Sequence, residues 1–194
     1  MHGLLNRSIQ GFLRRTYGEA VWLDVAARAG LGPDGFEALL DYDDNLTDRV
    51  IAAAARRLDR PRDALLEDLG TYLVSHPDLE RLRRLLRFGG TGFVDFLHSL
   101  DELPDRARMA LPELELPELD LREQNPERFR LMCRSPLTGV GHVILGLLRA
   151  MADDYGSLAV LEHEGSWPEG EIIRIDLLDP QFSEGRRFDL AGVA

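Results

Sequence analysis

Leu111-Pro112-Glu113-Leu114-Glu115-Leu116-Pro117-Glu118-Leu119 separates two kinds of sequence in this chain. Proline lacks a backbone donor and its ring clashes with the preceding helical turn, so no helix passes continuously through residues 112 and 117. The segment therefore reads as extended. Before it the apolar residues recur mainly at helical spacing. After it they alternate as strands, with one helix between two strand pairs.

Upstream, Leu5, Ile9, Phe12 and Leu13 predict a first helix that closes near Tyr17-Gly18. A second helix is expected over Glu19–Ala29, with Trp22, Val25 and Ala26 on one face, broken by Gly30, Gly32-Pro33 and Gly35. A short helix is expected at Phe36–Leu40, followed by the acidic run Asp41-Tyr42-Asp43-Asp44-Asn45. That run lacks the ligand spacing, central Gly and closing Glu of an EF-hand, so it reads as a capping turn. Further helices are expected at Thr47–Leu58, Ala64–Val74, Asp78–Leu86 and Gly92–Leu103, the last ended by Pro104. The arginines at 81, 83, 84 and 87 read as a solvated helix face.

Downstream, strands are expected at Leu119–Arg122 and Phe129–Cys133 around an Asn125-Pro126 turn. A helix over Gly139–Tyr155 precedes strands at Ser157–His163 and Glu171–Leu178. Residues 181–194 read as a loose tail. Helices followed by strand-strand-helix-strand-strand predict an α+β architecture.

The 194 residues suit one domain with a substantial core. All 23 basic residues are Arg, and 34 acidic residues give a net charge of -11. That balance argues against nucleic acid and anionic membranes as partners. A single cysteine, Cys133, excludes an internal disulfide and a multi-thiolate zinc site. No apolar run reaches the length of a membrane span and no secretory signal is legible, so a cytoplasmic protein is expected. The histidines His2, His76 and His163 fall in unrelated segments and read as structural or surface residues; the five histidines show no metal-site spacing. Phe88-Gly89-Gly90-Thr91-Gly92 lacks the Lys and the preceding strand of a phosphate loop. Glu162-His163-Glu164 would alternate faces on a strand. Enzyme motifs are thus missing, and a non-enzymatic role is expected.

Four pieces in order resemble the heme nitric oxide/oxygen-binding (H-NOX, or HNOB) domain family. They are Met1-His2-Gly3-Leu4-Leu5-Asn6-Arg7-Ser8-Ile9 with Tyr17-Gly18-Glu19 and Trp22; Leu69-Gly70-Thr71-Tyr72-Leu73-Val74; Phe93-Val94-Asp95-Phe96-Leu97-His98-Ser99-Leu100-Asp101; and Ser135-Pro136 with Gly139 and Gly146-Leu147-Leu148. The resemblance implies a single domain over residues 1–180. A distal helical lobe would cover about 1–60, and a proximal lobe with a four-stranded antiparallel sheet 61–180. It further implies heme between the lobes, a proximal His on the iron and a Tyr-x-Ser-x-Arg clamp on the propionates. Nitric oxide sensing would be relayed to a partner such as a cyclic-di-GMP enzyme or a histidine kinase.

Several positions depart from that pattern. The residue matching the iron ligand is Pro104, which has no side-chain donor atom. The clamp aligns with Cys133, Ser135 and Leu137, so only its Ser remains, and Leu137 cannot pair with a carboxylate. Pro117 matches the family's ring-distorting Pro. By the same resemblance Leu5, Ile9, Val143 and Leu147 would line the distal wall, and Leu100 and Pro117 the proximal side. His98 lies six residues before Pro104, about 600° or 240° around a helix, and should face away from the pocket. His98, His142 and Cys133 are the candidate substitute ligands. The expected protein is a regulatory module with its heme anchoring degraded. Its pocket would hold weakly bound heme, another apolar or tetrapyrrole ligand, or side chains alone. A heme gas sensor with a substitute ligand and a ligand-free adaptor are the alternatives.

Overall fold

The computed structural model describes residues 3–110, 116–182 and 185. The order is α1 (Gly3–Tyr17), α2 (Glu19–Ala29), α3 (Asp44–Leu58), α4 (Arg62–Ser75), a 3-10 turn (Pro77–Leu79), α5 (Glu80–Arg87), α6 (Phe93–His98), α7 (Leu103–Ala110), β1 (Glu118–Asn125), β2 (Arg128–Arg134), α8 (Val140–Tyr155), β3 (Leu158–Trp167) and β4 (Gly170–Asp179). The strands form one antiparallel sheet in the order β1-β2-β4-β3. This is the expected α+β fold with its four-stranded antiparallel sheet.

Two apolar clusters organise the chain. Trp22, Val25, Ile51, Leu66 and Leu13 join α1, α2, α3 and one part of α4. Phe93, Phe96, Leu97 and Leu100 pack with Phe129, Leu131, Ile173 and Ile175 of the sheet and with Leu145, Leu148 and Met151 of α8. Alternation along β4 sends Ile173, Ile175 and Leu177 inward while Arg174 and Asp176 face out, where Arg128, Arg130, Glu162 and Glu164 complete an ion-pair ladder. Helices α4 and α8 cross between the clusters at Gly70 and Gly146, where the two backbones are in contact.

Four local expectations are corrected. Phe36–Leu40 forms a turn-rich loop, not a helix. The Phe36 N–H is taken by Gln10 Oε1 at 2.9 Å and its ring packs on Trp22 and Tyr42, so the tertiary contacts fix this backbone. The helix expected over Gly92–Leu103 ends at His98, and Pro104 does not end a helix but opens α7 as its second residue. A first-turn position needs no N–H, so the sequence tolerates proline there. Arg83 and Arg87 are not part of a solvated face. Arg83 makes two hydrogen bonds to Asp154 at 2.5 and 3.0 Å, and the Arg87 guanidinium sits 4.0 Å above the Tyr155 ring. Finally, β3 runs on to Trp167 through a bulge between His163 and Gly165. The extended reading of Leu111–Leu119 falls partly outside the described residues, which resume at Leu116; most of the tail expected at 181–194 also lies outside them.

Candidate functional site

One end of the inner sheet face changes from apolar to polar. Cys133 of β2 pairs directly with Glu171 of β4, and Leu119 of β1 lies opposite Cys133 on its other side. Glu171 is in phase with Ile173 and Ile175, so its carboxylate lies on the buried face and is only 8% exposed. Three groups hold it there. The Gly139 N–H donates to Oε1 at 2.8 Å, the Gly141 N–H donates to Oε2 at 3.0 Å, and His163 Nε2 lies 2.9 Å from Oε2. The two N–H groups belong to the start of α8, where the helix dipole favours a negative charge. A side chain at Gly141 would put its Cβ 2.6 Å from Glu171 Oε2 and so displace the carboxylate from this seat.

The His163 ring stacks on His142 with centroids 4.1 Å apart. His142 Nδ1 in turn lies 3.1 Å from Glu67 Oε1, and Arg149 pairs with the same carboxylate. His163, read as a structural or surface residue, is therefore half-buried in a polar cluster linking α4, α8, β3 and β4. Beside it opens a cleft of about 660 Å³ whose lining includes Leu116, Cys133, Ser135, Leu137, Trp167 and Glu171.

Burial first, and then the Glu171 charge, pushes the Cys133 thiol up to about 12. Cys133 is thus a neutral thiol at physiological pH and a poor nucleophile. Its alkylation by iodoacetamide at pH 8 should be slower than in the urea-unfolded chain by about 1,000-fold, the ratio of thiolate fractions. A native rate equal to the unfolded rate would contradict this placement. The folded value lies above the unfolded one. The protonated thiol therefore costs nothing below about pH 9, and stability falls by about 1.4 kcal/mol per pH unit as pH rises toward 12. Urea midpoints measured over that range should decline less in Cys133→Ala.

The structure brings Cys133, Ser135 and Leu137 to one cleft wall and separates them from the other candidates. Ser135 Oγ accepts the Leu137 N–H at 3.1 Å, closing a local turn. Pro104 is buried at the start of α7, and Pro117 is half-buried ahead of β1. Leu100 and Leu147 are buried in the sheet-side cluster, Ile9 in the helical one; Val143 and Leu137 pack against the helical one, and Leu5 is half-buried. The void bounded by Ile9, Phe12, Leu13 and Ile51 measures only about 10 Å³, at most room for a single water molecule. His98 is exposed, 3.5 Å from Glu123 and edge-on to Phe129. Among the described residues no three His, Cys, Asp or Glu side chains are grouped to hold a metal ion.

The chain belongs to the haem-NO-binding (HNOB) family, whose model matches residues 2–163. It is 26% identical over 154 residues to the soluble guanylate cyclase gcy-31 of Caenorhabditis elegans, covering 79% of this chain and 22% of that protein. It is 23% identical to the soluble guanylate cyclase 89Db of Drosophila melanogaster, covering 81% and 24%. The chain thus spans about a quarter of the length of these relatives. The fold is that of an H-NOX mutant of T. tengcongensis, with a TM-score of 0.77, 19% identity and coverage of 93% of this chain and 99% of that one. An S. oneidensis H-NOX protein in the Fe(II)NO ligation state gives 0.76 and 16%, covering 92% and 100%.

Heme is the group this family name implies, and the residues here do not fit it. Pro104 offers no donor. Cys133 is buried in the sheet directly beside the Glu171 carboxylate. The cleft wall that contains the positions matching the clamp by resemblance carries a buried carboxylate, Glu171, and Leu137 stands where the clamp has its Arg.

Proposed function

We propose that this chain is a regulatory module of the H-NOX family that acts on a partner signalling protein without the family's heme anchoring. What supports this reading is that Pro104 at the start of α7 and the cleft-wall residues Cys133 and Leu137 lie apart in the fold, and by resemblance both places depart from the family's iron-ligand and clamp pattern. A single local rearrangement does not restore both. By resemblance the partner is a cyclic-di-GMP enzyme or a histidine kinase, and the guanylate cyclase relatives support a signalling effector. The module itself performs no chemistry in this reading. Its output is a shift of the helical cluster against the sheet-side cluster about the α4–α8 crossing. No helix among the described residues is long and apolar enough to cross a membrane, which is compatible with a cytoplasmic site of action.

The test is an absorption spectrum of the purified protein during titration with hemin. The expected signal is broad and does not saturate at one heme per chain, because apolar contact without an iron ligand gives weak, unspecific association. A sharp Soret band saturating at one heme per chain would overturn the proposal in favour of a heme-based gas sensor with a substitute ligand.

A further inference from the structure

The seat at the start of α8 is already taken. Two backbone N–H groups and His163 converge on one point of the cleft wall, and what they hold is a carboxylate of this chain. The same wall contains Cys133, Ser135 and Leu137, the positions matching the family's propionate clamp by resemblance. We propose that Glu171 acts as a built-in carboxylate, filling the anion seat of the cleft and excluding planar ligands that carry carboxylates of their own, heme included. The inference rests on the heme-independent reading above and deepens it by giving the cleft a rule of selection.

The physical argument has two steps. A ligand carboxylate entering here meets the N–H groups of Gly139 and Gly141 already satisfied, so it loses water and gains no donor. It also approaches a like charge at a site where little solvent screens it. Among the described residues the guanidinium on this wall is that of Arg134, which is already committed through Nε to the Glu169 carbonyl at 2.9 Å and lies 4.0 Å from Glu118. Cys133 is the direct cross-strand neighbour of Glu171, so this carboxylate lies beside the positions that match the clamp by resemblance.

The experiment compares hemin with its dimethyl ester, which has the same ring and iron but no free carboxylate. Binding is read from the Soret band in the wild type and in Glu171→Gln, which removes the charge and keeps one acceptor oxygen for the glycine N–H groups in place of two. Glu171→Gln should bind hemin at least about tenfold more tightly than the wild type, with the ester's affinity nearly unchanged. Unchanged hemin affinity in a folded Glu171→Gln, or an equal gain for both ligands, would overturn the inference. The wild type provides a check that no variant can spoil, because it should bind the ester at least about tenfold more tightly than hemin. Equal affinity there also overturns the inference. Stoichiometric, saturable hemin binding by the wild type instead overturns the heme-independent reading, so the two failures are distinguishable.

Discussion

Gly146→Ala should destabilise this protein by more than about 3 kcal/mol, beyond the usual cost of an added methyl in a packed core. Alanine is normally the better helix former by about 0.5–1 kcal/mol, so local propensity predicts the opposite sign. Packing decides the outcome. A Cβ at 146 would lie 1.9 Å from the Glu67 carbonyl oxygen, and one at 70 would lie 1.9 Å from the Val143 carbonyl oxygen. Both obstacles are helix backbone, which cannot swing aside as a side chain can. Helices α4 and α8 must separate, and Thr71 Oγ1 would lose its 3.3 Å bond to the Gly146 carbonyl. The melting temperature should fall by about 10 °C, given about 2–4 °C per kcal/mol for a chain of this size. Gly70→Ala should behave alike. The double variant should cost less than the sum, since one separation relieves both clashes. Gly11→Ala is the control: its Cβ would meet only the Tyr72 hydroxyl at 3.5 Å, and its stability should be unchanged or raised. Thermal melts followed by circular dichroism decide the matter, and an unaltered Gly146→Ala melt would refute the close crossing.

The sequence carried the fold more fully than the site, for reasons visible in particular residues. Periodicity identified α1 and α2 because each turns one face to the core, and the prolines at 112 and 117 marked the change to strands. Phe36–Leu40 misled because a side chain, Gln10, satisfies its backbone across 26 residues, which local pattern cannot reveal. Pro104 misled because proline fits either just after a helix or in its first turn. Glu171 was legible in principle: its period-2 phase with Ile173, Ile175 and Leu177 puts a carboxylate on a buried face, which is a signal in itself. The His142–His163 stack was not legible. The partners lie 21 residues apart on a helix and a strand, and only the packing of α8 against β3 brings them together.

Asp154→Ala is the second large effect, with an expected loss of about 3–5 kcal/mol. Asp154 is 1% exposed near the end of α8 and holds Arg83 through two hydrogen bonds. Arg87 lies 3.9 Å from the same carboxylate and donates to the Asp154 carbonyl at 3.1 Å. Truncation removes the carboxylate and leaves two largely buried guanidinium groups facing its place. The cost comes from that uncompensated charge, not from the net worth of the pair. The Arg14–Glu19 pair, exposed on both sides, should by contrast change stability by less than about 1 kcal/mol when broken. If charge is the cause, Asp154→Asn should be nearly as damaging as Asp154→Ala despite its shape, and Arg83→Met combined with Asp154→Leu should recover much of the loss. The consequence reaches the sheet-side cluster. Tyr155, under Arg87, also donates to the Gly90 carbonyl at 3.2 Å and packs on Phe93 and Phe96 of α6. Loosening Asp154 should therefore speed amide exchange in α6 as well as α5. Exchange confined to α5 would show that the lock holds one helix alone.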